Sequence, residues 1–140
     1  MLSSDVILFA QLMSSIFFAI LFLQSALDKI MDWEGNLSWL EGHFAKSPLA
    51  NFVYFMLLGL TIVEFAAGTV SALGALNLWL TSSVGLALIG IKLSTLSLVM
   101  LFFGQRLAKD YAGAATIATY FAVALLSFCL LYTSDAADDW

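Results

Sequence analysis

The chain has 140 residues, 62% of them hydrophobic and 11% charged, with a mean hydropathy of +0.99. An average soluble domain is about 45–50% apolar and about 25% charged, so this composition excludes a soluble globular fold and indicates an integral membrane protein. The net charge of −5, from ten carboxylates against five cations, offers no basic surface for nucleic acid. A single cysteine, Cys129, and a single histidine, His43, argue against an internal disulfide, a CxxC pair, or a zinc or haem site built by this chain alone.

A spanning helix needs about 20 mostly apolar residues, and four runs reach that length: 6–27, 52–76, 78–103 and 112–132. They are apolar all round, unlike the roughly ten-residue alternating strands of a membrane barrel. The expected architecture is one all-α integral membrane domain, an antiparallel bundle of four transmembrane helices. The first run lacks a preceding Lys or Arg, carries Asp5, and has no small-x-small cleavage site, so it reads as a retained helix rather than a signal peptide.

Between the first two runs lies the only sizeable polar segment, 28–51. Within it Leu37, Leu40 and Phe44 recur at i, i+3 and i+7, the spacing of one helical face. Trp33, Trp39 and Phe44 add the aromatic character of the headgroup level. A short interfacial amphipathic helix is therefore expected, ended before Pro48, with His43 interfacial or solvated. Glycine and alanine are spread through the second to fourth runs, suiting close helix packing in lipid. Asp110 precedes the last run as an N-cap candidate.

Cations set orientation. Lys29 and Lys46 lie after the first helix, and Arg106 and Lys109 after the third; the other connections and ends carry none. Loops 28–51 and 104–111 are therefore expected in the cytoplasm, with both termini outside.

Two charges interrupt the apolar runs. Glu64 lies near the middle of the second and Lys92 near the middle of the third. A charge at the bilayer centre costs from about 2.5 to more than 10 kcal/mol, so such residues face a partner or a cavity. With a turn at Asn77, residue counts bring Glu64 and Lys92 to matching depth, predicting a buried ion pair. Tyr120 on the last helix and Gln24 on the first are candidate members of the same polar layer. The layer reads equally as a structural clamp or as a proton-linked or ligand site, for instance one that hydrogen-bonds a quinone carbonyl.

The segments FLQSALDKIMDW, VEFAAGTVSALGAL and GQRLAKDYAGAA, with LQSALDK followed by GHFAKSP, resemble the DoxX-like family of small bacterial four-helix membrane proteins. In that family's pattern a glycine usually stands before the helix 1 lysine, where this chain has Ala26 before Lys29. A glutamate followed by glycines is matched by Glu64, Gly68 and Gly74. The resemblance implies an inner-membrane subunit, some relatives being tied to quinone-linked thiosulfate oxidation or other redox and assembly complexes. The expected function is an accessory subunit of a membrane redox complex, not catalytic alone, with quinone as the implied ligand and no metal. The alternative is a structural or assembly subunit that docks a larger membrane complex.

Overall fold

Each of the four apolar runs forms a helix, and each helix ends beyond the bound expected from hydropathy, whereas the one expected to begin at residue 78 begins only at Gly85. The computed structural model describes the backbone of residues 4–138 and the side chains of residues 5–132. It contains α1 (Ser4–Met31), α2 (Trp33–His43), a short 3-10 turn (Ala50–Phe52), α3 (Val53–Thr81), α4 (Gly85–Leu107) and α5 (Tyr111–Asp138). Four helices are long and apolar enough to cross a membrane. No strand occurs among the described residues.

Helix α1 runs about four residues beyond the expected end because Leu27, Lys29 and Met31 are strong helix formers and Lys29 in the last turn suits the helix dipole. Asp32 then separates it from α2, and its carboxylate accepts the Gly35 N–H at 3.3 Å, capping the new helix. At the other junction, Asp110 Oδ1 accepts the Gly113 N–H at 2.9 Å and caps α5.

The connection between α3 and α4 departs from the sequence reading. Asn77 lies inside α3, where its backbone carbonyl and its side-chain oxygen accept the Thr81 hydroxyl at 2.9 and 3.0 Å. The chain turns at Ser82, whose φ of 58° is left-handed and whose N–H bonds to the Leu78 carbonyl. A single polar residue in an apolar run does not break a helix, whereas the consecutive hydroxyls of Thr81, Ser82 and Ser83 offer competing local hydrogen bonds. The shift of the turn by about five residues moves everything on α4 relative to α3.

Helix α3 sits at the centre, packed on one side against α1 and on the other against α4, which in turn packs against α5. Small residues set these contacts. A Cβ on Gly68 would lie 2.7 Å from the Leu23 backbone, and one on Gly74 would lie 2.6 Å from Ala87. Such backbone proximity is the means by which helices gain packing energy without a hydrophobic drive. Phe18, Phe22, Leu57, Leu78 and Leu98 fill the interior. Large apolar side chains such as Phe9, Ile62, Trp79 and Phe103 point outward, the arrangement a lipid solvent favours.

Candidate functional site

Along α1, Phe18, Phe22 and Ala26 are buried, and Lys29 continues that stripe at helical spacing. Its Cα is close to the end of α1, but the side chain turns back along the helix, in the direction helical side chains naturally lean. Nζ donates to Ser25 Oγ at 2.8 Å, to the Ser25 carbonyl at 3.4 Å and to Glu64 Oε2 at 3.3 Å. Glu64 Oε1 also lies 3.3 Å from Nζ. Glu64 is fully buried, and Oε1 has no hydrogen bond among the described residues. The charged layer thus joins α1 to α3.

Lys92 does not take part. It is exposed on the outer face of α4 and makes no ion pair among the described residues. Ser71 meets Gly90, and Gly74 meets Ala87, a register that brings Glu64 level with Ser97. Lys92 is about seven residues from the start of α4, roughly 10 Å along the axis at 1.5 Å per residue. Most of that distance is within reach of a lysine stem extended toward the surface. The expected Glu64–Lys92 pair fails because the turn lies after Thr81 rather than at Asn77.

The remaining members of the expected layer also separate. Gln24 is exposed on α1. Tyr120 packs toward the core, with its ring 6.4 Å from that of Phe17, and Phe17 is roughly 18 Å along α1 from Lys29 at about 1.5 Å per residue. Tyr120 therefore belongs to a different level.

The aromatic residues of the 28–51 segment divide by environment. Trp33 packs edge-on against Tyr54 at 6.1 Å, and Trp39 is 61% exposed. Phe44, expected at the interface, is only 5% exposed and packs its ring beside Gly104. Beside it His43 is far from a solvated loop residue. Its ring stacks on Trp39 at 4.6 Å and 15°, its Nε2 is 3.1 Å from Gln105 Oε1, and Asp110 Oδ2 is 3.6 Å away. His43, Gln105 and Asp110 therefore form a polar cluster where α2, the end of α4 and the start of α5 meet.

Lys29 and Gln105 were missed as site residues. For Lys29 the signal was present in the Phe18, Phe22, Ala26 spacing, which continues to position 29, and in the LQSALDK segment itself. Gln105 has no comparable periodic signal. Among the described residues no group of three or more His, Cys, Asp or Glu side chains gathers as a metal site. Comparison with family models, characterised proteins and solved structures found no match.

Proposed function

We propose that this chain is a DoxX-like subunit of a bacterial inner membrane, an antiparallel four-helix bundle that works inside a redox assembly and is not catalytic alone. Loops 28–51 and 104–111 face the cytoplasm in this reading, with both termini outside. The observation that carries it is Glu64: a fully buried carboxylate whose charge is met by Lys29, with one oxygen lacking a donor. Intramembrane ionisable groups mark ligand or proton sites by default, and quinone is the ligand class such an assembly would use. Lys29 replaces Lys92 as the partner in that site.

A second reading is a structural or assembly subunit. It is favoured by the position of Lys29, whose contacts to Ser25 and Glu64 tie α1 to α3 at a glycine-lined interface. Isolation in mild detergent, with identification of co-purifying chains, tests both: a redox enzyme as the recurrent partner supports the first, a non-redox complex the second, and a lone monomer defeats both. Infrared difference spectra recorded on adding a quinone separate them further. A carboxyl band present in wild type and absent in Glu64→Gln supports the redox reading, and no band supports the clamp.

A further inference from the structure

Helix α2 and the segment after it cover one end of α3 and α4 and leave beneath them a cavity of about 290 Å³. Its walls are apolar, with Leu57 and Leu60 on α3 facing Met100 and Leu101 on α4. At its rim are His43 and Gln105, and Trp39 stacks on the histidine. This cavity is separate from the Glu64 layer, whose carboxylate is not among its walls.

We propose that the cavity binds a lipid-soluble molecule with an apolar body and an uncharged carbonyl or hydroxyl head, held at the rim by His43 and Gln105. The volume is at the lower end of the roughly 300–1,000 Å³ range of ligand sites, which suits a ring or a short run of chain rather than a whole two-chain lipid. Histidine and glutamine side chains both donate and accept, so a carbonyl or hydroxyl entering between them replaces their mutual 3.1 Å contact with bonds of its own. The rim favours a neutral head over an anionic one. No Lys or Arg lines the cavity, and the Asp110 carboxylate 3.6 Å from His43 puts negative charge beside it.

The Trp39 ring, nearly parallel to the imidazole, holds the plane of His43 at the entrance. The Met56 and Met100 side chains supply walls that adapt to an irregular ligand. Two membrane components carry this head chemistry: the ring of a quinone and the glycerol end of a neutral diacylglycerol.

The test is native mass spectrometry of the purified full chain released from detergent micelles, after titration with decylbenzoquinone, dioctanoylglycerol or a short-chain phosphatidylglycerol. Saturable binding of one molecule per chain is expected for at least one of the neutral probes, and the probe that binds identifies the source. Filling the cavity from either wall, with Leu60→Trp or Leu101→Trp, should weaken that binding at least tenfold. His43→Phe preserves ring stacking on Trp39, removes the head contact, and should weaken it similarly. Helix content measured by circular dichroism shows which variants fold. Absence of an adduct, equal binding of the phosphatidylglycerol, or full binding by a folded cavity-filled variant would overturn the proposal. It stands independently of the redox reading: an adduct without a redox partner defeats only that reading, and a redox partner without an adduct defeats only this site.

Discussion

Replacing Glu64 by Gln should cost the bundle about 3 kcal/mol, toward the lower end of the roughly 3–5 kcal/mol typical of removing one member of a buried ion pair. Lys29 Nζ lies 3.3 Å from each carboxylate oxygen, which at an effective dielectric of about 20 corresponds to a gross attraction of about 5 kcal/mol. Desolvation of the fully buried glutamate offsets part of it, and the 15% exposure of the lysine side chain lets solvent screen a further part. Lys29→Met should cost a similar amount because it leaves the Glu64 charge alone in the interior. Together the two substitutions remove both charges, so the double variant should be more stable than the summed losses predict, with a coupling of about 1–3 kcal/mol. Reversible unfolding in mixed micelles of mild detergent and dodecyl sulfate, followed by circular dichroism, measures all four states. The parallel cycle of Glu64→Gln with Lys92→Met should show no coupling. Coupling to Lys92 with none to Lys29 would refute the pairing and the helix register behind it.

Further outcomes follow from the same packing. Lys92→Leu should leave stability unchanged or raise it in the same micelle assay, since it removes an outward charge from an apolar helix face. Gly68→Leu should lower the unfolding midpoint strongly, because a Cβ there would lie 2.7 Å from both the backbone nitrogen and the side-chain Cγ of Leu23; full recovery by Leu23→Ala would contradict the claim that the backbone is part of the obstacle. Asp110→Ala should cost about 1 kcal/mol through loss of the α5 cap, whereas Asp110→Asn should retain most of the stability. Leu57→Ala, at a position with no exposed surface, should cost about 2–5 kcal/mol.

Spanning-length helices were legible because hydropathy acts over about 20 residues and tolerates local error. The pairing of charges was not, because it depends on register, and register depends on where one turn falls. Asn77 attracted the turn as the sole amide in the region, yet its carbonyl and side-chain oxygen are used within α3 by Thr81. In the observed register Glu64 is level with Ser97, so Lys92 lies five residues, roughly 7.5 Å, away along α4, and it faces outward. The α2 face was readable from Leu37, Leu40 and Phe44, but the direction it faced was not. The His43 cluster needed tertiary structure, since Gln105 and Asp110 come from the far side of the α4–α5 connection and no local pattern links them to α2.

The position of Lys29 carries a wider consequence for charge counting. A lysine two residues from the end of α1 would be assigned to the loop and counted toward orientation, yet its ammonium points inward and is consumed by Ser25 and Glu64. The cationic bias of the 28–51 segment then rests on Lys46, and that of the 104–111 connection on Arg106 and Lys109. The sign of the bias survives, because the opposite connections still carry no cation. What changes is the division of labour in the proposed orientation: the loop cations outside the bundle would orient the chain, while the lysine at the helix end holds the buried carboxylate. Lys29→Met should therefore weaken α1–α3 docking while leaving topology intact, and cysteine labelling of the loops from each side of the membrane would separate those two effects.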